Sequence, residues 1–208
     1  GFLLDLISSK LNTKLNTDYL TPLEDDLYQL ITLDNLSPDQ KNSLVTRLGD
    51  IKLLSEGISN PKTAKTLGMN ISNWILHLTP SDLSGTNLCP MASKGCRAAC
   101  LNGAGRGLFD GVQLPRLRKT LYYTNFKSEF LKHLDKEITK IEKSALKTQS
   151  KVIIRLNGTS DISWEIFKIK DNKNIFELFP NVQFYDYTKV VTRLPKLKRL
   201  GLKNYYVI

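Results

Sequence analysis

The sequence is poor in cysteine, histidine and methionine, and each shortage removes a class of protein. Of 208 residues only three are Cys, two His and two Met. Three cysteines, all between positions 89 and 100, do not make a disulfide framework. The two histidines, His77 and His133, stand in no recognisable Ser-His-Asp order, and there is no HExxH, no Walker phosphate loop and no GxGxxG opening a helix. Hydrolase and simple NTPase chemistry therefore have little support. No apolar run approaches the roughly 20 residues that cross a bilayer. The start, Gly1-Phe2-Leu3-Leu4-Asp5, has no basic segment and carries an acid inside its apolar run, so it makes a poor secretory signal. A cytoplasmic location is the expectation. The first residue is not Met, and Tyr205–Ile208 read as a strand, so the chain is expected to be a piece of a longer one, truncated at its C-terminus.

Acidic side chains are scarce in one part of the chain. Residues 1–70 hold seven basic and nine acidic side chains, residues 71–208 hold 23 and 11, and the whole carries +10. An excess of this kind suits an anionic partner, either nucleic acid or an anionic small molecule. It also suits plain solvated lysine faces, since much of it falls in Lys127–Lys151 and Lys189–Lys203. With 41% hydrophobic and 24% charged residues the composition is that of an ordinary globular protein of one domain, with or without a small appendage.

The first part reads as helical. Leu3–Leu11 is a short apolar stretch. Thr21-Pro22 opens a helix with acids in its first turn, and Leu23, Leu27, Leu30 and Ile31 share a face. Ser37-Pro38-Asp39 repeats the start signal, and Gly49 is a stop. From about residue 71 the pattern changes. Trp74–Leu78 is a short β-rich run. A long helical segment is expected over about Pro115–Thr148, with a break near Asn125-Phe126. Lys151–Leu156 is a strand, a helix is expected around Ser163–Lys170, Val182–Tyr187 is a strand, and a basic helix follows near Leu194–Leu200. Such alternation predicts parallel βαβ units. Three polar segments, the cysteine loop, Asn157–Asp161 and Tyr185–Lys189, each follow a strand, so they are expected to converge on the carboxyl-end rim where α/β folds bind ligands.

Cys89, Cys96 and Cys100 are spaced C-x6-C-x3-C in a polar, glycine-rich loop. That pattern suits metal ligands, with buried thiols as the plain alternative. Closed zinc sites want four protein ligands, and His77 is a conceivable fourth. Three thiolates alone suit a [4Fe–4S] cluster with one open iron, the arrangement in which S-adenosylmethionine is bound for radical chemistry. Gly103–Gly107, with Arg106, is a segment able to approach an anion. Arg116, Arg118 and Lys119 are read as opening the next helix, where cations are disfavoured unless an anion compensates. Asn157, Gly158, Thr159 and Ser160 form a donor-rich turn, with Asp161 suited to a hydroxyl, an amine or a metal-bound water. The alternative is a turn in which Asp161 or Ser163 caps a helix. Asp186 and Lys189, with Tyr185 and Tyr187, form a polar pocket, or a merely structural pair.

Several ordered motifs carry a resemblance. They are Asn60–Lys65, Leu88-Cys89-Pro90, Ser93–Cys100, Gly105-Arg106-Gly107, Arg116–Thr120, Arg155–Asp161 with Trp164-Glu165, and Phe184–Lys189. Together they resemble the phage gene-product-88-like proteins over about residues 55–208, leaving 1–54 as a helical N-terminal extension. That family is distantly similar to radical S-adenosylmethionine enzymes, with a three-cysteine loop after the first strand of a partial (β/α) barrel. The resemblance therefore implies an α/β fold with a partial (β/α) barrel of parallel strands, and an iron–sulfur enzyme of phage or mobile-element type. Those enzymes use C-x3-C-x2-C, and this chain departs from that spacing. On this reading Cys89, Cys96 and Cys100 hold the metal. Asn157, Gly158, Thr159, Ser160 and Tyr185 bind the cofactor, and Asp161, Asp186 and Lys189 act in catalysis. Arg106, Arg116 and Lys119 handle negative charge. The alternative is a non-enzymatic nucleic-acid-binding protein with a structural zinc.

Overall fold

The computed structural model describes residues 2–15, 19–57 and 70–208, without the side chains of Phe2 and Leu3. The Asn60–Lys65 motif lies outside them. The chain forms two compact units, Gly1–Ile51 with Leu78–Phe130, and Lys52–His77 with Leu131–Ile208. The expected boundary at 54/55 falls inside a strand.

In the first unit, α1 (Phe2–Leu15) precedes α2 (Pro22–Ile31) and α3 (Pro38–Leu48). Both later helices begin as their start signals dictate. Thr21 and Ser37 accept the amides of Glu24 and Gln40, and those side chains reach back to close a capping box. α4 (Lys94–Ala98) is a single turn, and α5 (Asp110–Asn125) packs along α2. One buried carboxylate ties this unit together. Asp26 accepts from Arg47 Nε and from Arg118 Nη1, each at 3.0 Å. α5 starts five residues before the expected Pro115, which sits inside it and leaves one backbone acceptor without its intrahelical donor. Arg116, Arg118 and Lys119 are therefore mid-helix residues, not a helix opening.

Phe126 breaks the path with φ −130° and ψ 55°, and α6 (Lys127–Lys147) continues from it. In α6 the buried residues Phe130, Leu131, Leu134, Ile138, Ile141 and Ala145 recur at helical spacing.

The second unit carries a five-stranded sheet in the order β1 (Leu54–Glu56), β2 (Ile71–Leu76), β3 (Lys151–Arg155), β4 (Gln183–Asp186) and β5 (Tyr205–Val207). β2 to β5 run parallel, as the alternation predicts. β1 was not foreseen, and it pairs antiparallel with β2, Leu54 facing Leu76. Its approach is held from α6, where Glu137 accepts the amides of Leu53 and Leu54 at 2.9 Å each. β2 begins three residues earlier than Trp74 and ends at Leu76. The helix expected at Ser163–Lys170 is only a 3-10 turn, Trp164–Ile166, because Ser163 makes no capping bond there. Between β3 and β4 the short α7 (Ile175–Leu178) is started by Asn174, and α8 (Arg193–Leu200) links β4 to β5 before Gly201 ends it at φ 62°. Phe176 stacks on Tyr205 with centroids 3.8 Å apart and meets Phe184 edge-on at 5.0 Å. No helix among the described residues is long and apolar enough to cross a membrane.

Candidate functional site

The cysteine loop belongs to the first unit. Ser93 caps α4 by accepting the amide of Cys96, and Cys89 is fixed by its own amide bond to Asn87 Oδ1 at 2.9 Å. Chain reversal needs Ser81 in the left-handed region, φ 54°, and there its amide donates to Cys89 Sγ at 3.4 Å. Among the described residues none of the three cysteines is joined in a disulfide. They line one cavity of about 440 Å³, together with Leu6, Ser81, Arg97, Asn102 and Gln113. An amide aimed at sulfur stabilises a thiolate, the form that binds metals. Among the described residues, however, no three His, Cys, Asp or Glu side chains are grouped so as to hold a metal ion.

Arg116 lies beside this cavity. Its Nη1 donates to the buried Asn102 at 2.7 Å; burial pulls its pKa down, and the charge of Cys100 works the other way. Lys119 is buried within α5, and Arg106 is exposed in the 3-10 turn Gly105–Leu108. Gly107 is required by contact rather than by torsion, since a Cβ there would collide with Leu101 O and stand 2.8 Å from Asn102 O.

The other two polar segments meet in the second unit. Asn157 organises the turn after β3. Its Oδ1 accepts from Ser160 Oγ, Ile162 N and Trp164 Nε1 at 2.9–3.0 Å, and its Nδ2 donates to Ile162 O. It reaches β4 by giving its amide to Asp186 Oδ1 at 2.8 Å and Nδ2 to Oδ2 at 3.2 Å. Thr159 and Ser160 are buried with it. Gly158 is needed because a Cβ would lie 2.6 Å from His77 Nδ1 and 2.7 Å from Leu76 O. Its φ is not positive, so contact rather than torsion requires glycine there.

Asp186 is fully buried, and burial pushes its pKa up to about 7 against the opposing pull of the Asn157 amide, Arg155, Arg193 and the Tyr205 hydroxyl. Asp161 accepts from Thr188 Oγ1, the Lys189 amide and Arg193 Nη1 at 2.8–3.0 Å. Lys189 thus contributes its backbone; its side chain is exposed and does not pair with Asp186. Tyr185 is half-buried and meets Tyr187 edge-on at 6.5 Å.

Sequence reasoning missed the centre of this network. Arg193, 3% exposed, forks onto Glu165 and reaches Asp161, Thr188 and Tyr205. Its position in a run of exposed basic residues disguised it. Trp164-Glu165 carried the only local hint.

The family profile described as Gene product 88 matches residues 45–208. The chain belongs to the gene product 88 family. No curated protein and no solved structure matches it. The family match spans both the cysteine loop and the Asn157–Asp186 network, so both are features of the gene product 88 region rather than of the helices before it.

Proposed function

We propose that this protein is an iron–sulfur enzyme of radical S-adenosylmethionine-like type, acting on an anionic substrate such as a nucleotide or nucleic acid. The observation that carries the reading is that three cysteines line one cavity, with the Ser81 amide aimed at Cys89 Sγ. The donor chemistry fits a cluster, and the sulfurs still have to draw together to coordinate one. Held by three cysteines, a [4Fe–4S] cluster leaves one iron open to S-adenosylmethionine, the source of radical chemistry. Arg116, beside Cys100, would orient negative charge at the cavity. Asp186, its pKa raised to about 7 by burial and tied to Tyr205, would be the proton-holding group of the second unit. The consecutive parallel strands β2 to β5 support reading the sheet as an arc of a (β/α) barrel. The reading puts the protein in the cytoplasm, of the host if phage-encoded, where free thiols persist.

The test is anaerobic purification with iron, sulfide and zinc analysis, and Cys96→Ala as control. The expected result is about four irons per chain and a broad absorbance near ~400 nm, both lost in the variant, followed by reductive cleavage of S-adenosylmethionine. One zinc and no iron would overturn the radical reading. It would favour a nucleic-acid-binding protein with a structural zinc, for which the net charge of +10 speaks.

A further inference from the structure

The two faces of the sheet differ in kind. Strand side chains alternate, and one face carries Val152, Ile154, Phe184 and Tyr205, all buried. The other carries Asn73 and Ile75 on β2, Arg155 on β3, Tyr185 on β4 and Tyr206 on β5. The ladders set Ile75 against Arg155 and Tyr185 against Tyr206, and the β3–β4 register of Ile154 with Phe184 puts Arg155 next to Tyr185.

Two side-chain atoms on this face lack hydrogen-bond partners among the described residues. Asn73 is 8% exposed, and its Oδ1 accepts no hydrogen bond. The Arg155 side chain makes no hydrogen bond to a described residue, and its buried Nε stands 4.0 Å from Asp186 Oδ1, an ion-pair distance beyond hydrogen-bond reach. Native proteins seldom leave such groups unsatisfied without a reason. The Arg155 guanidinium lies 4.9 Å from the ring centre of Tyr187, which is 50% exposed, and Tyr206 is 60% exposed. A guanidinium without a hydrogen-bond acceptor, bordered by accessible aromatic rings in the basic portion of the chain, complements a ligand that is both anionic and aromatic.

We propose that this face binds a nucleotide unit. Its phosphate is taken by Arg155 and its base stacks on the tyrosines. This deepens the substrate half of the function proposed above and rests on it only there, for none of these residues belongs to the cysteine cavity. The source is either a free nucleotide or a single strand of nucleic acid.

The test is binding by the whole chain of adenosine triphosphate and of a labelled single-stranded oligothymidylate, with inorganic tripolyphosphate as the probe lacking a base. Nucleotide is expected to bind more tightly than tripolyphosphate. Arg155→Gln and Tyr206→Ala are each expected to weaken binding roughly tenfold, against less than about twofold for Lys198→Gln on α8. Tyr206 is exposed, so that variant keeps its fold, which circular dichroism would verify. Binding of the triphosphate alone assigns a free nucleotide, and binding of the oligothymidylate alone assigns a strand. Absence of binding to both, equal affinity for tripolyphosphate, or losses no larger than that of Lys198→Gln would overturn the proposal. The assay needs no metal, so failure of the iron analysis and failure here are separate results.

Discussion

Arg193 and Glu165 meet as a two-pronged fork in the interior of the second unit, Nε 3.0 Å from Oε1 and Nη2 2.8 Å from Oε2, with both side chains 3% exposed. The same guanidinium holds Asp161 and the Tyr205 hydroxyl, so one side chain from α8 positions the turn after β3 and the strand β5.

Removing that cation leaves the buried Glu165 carboxylate without its guanidinium and takes one of three donors from Asp161. Arg193→Met is therefore expected to cost about 3–5 kcal/mol of stability, read from urea unfolding. A loss below about 1 kcal/mol would show that water replaces the guanidinium and that the fork is not structural.

Asp186 and Glu24 should give opposite dependences on pH. Burial raises Asp186 from 3.8 to about 7, so across that window the folded chain keeps a proton the unfolded chain has released. Its contribution to stability is full below the unfolded value and is lost as pH rises toward 7, on the order of a few kcal/mol. Asp186→Asn should flatten this slope, and equal slopes in the two proteins between pH 4 and 7 would refute the assignment. Glu24 is lowered from 4.5 to about 2, first by its bond to Lys14 and then by the Thr21 amide. Its contribution is present above 4.5 and disappears as pH falls toward 2, and Glu24→Gln should abolish that acid-side loss.

Gly158→Ala places a Cβ within 2.7 Å of Ile75 and of Leu76 O, and within 2.6 Å of His77. Backbone cannot yield there as a flexible side chain would. The expected loss is about 1–3 kcal/mol, seen as a lowered urea midpoint. Gly103→Ala, with nothing within 4 Å of the added carbon, is the neutral comparison.

Asp26→Asn keeps the volume of a buried side chain but removes the charge that Arg47 and Arg118 share. A loss of about 1.5–3 kcal/mol is expected, with faster hydrogen exchange in α2 and α5. Unchanged exchange there would mean that apolar packing alone holds these helices together.

Legibility in the sequence followed the range of each interaction. Thr21 and Ser37 announced their helices because a cap is made within four residues. The four parallel strands were legible as alternation, and the grouping of the cysteines was visible as spacing alone. Pro115 misled because a proline usually opens a helix, whereas here α5 has already begun at Asp110. Gly158 and Asn157 were noticed as polar turn residues, but their reasons, contact with β2 and a bond to β4, lie far off in the chain.

By itself the sequence determined the α/β alternation, the capped N-terminal helices and the membership of the gene product 88 family, since all of these are written in short spacings and ordered motifs. Only the tertiary structure decided that β1 runs antiparallel, that Arg193 is buried while its basic neighbours are exposed, and that Arg155 Nε and Asn73 Oδ1 find no hydrogen-bond partner among the described residues. Those outcomes depend on which distant groups arrive to satisfy a charge or an amide. A buried arginine and a solvated one look alike until their partners are in place.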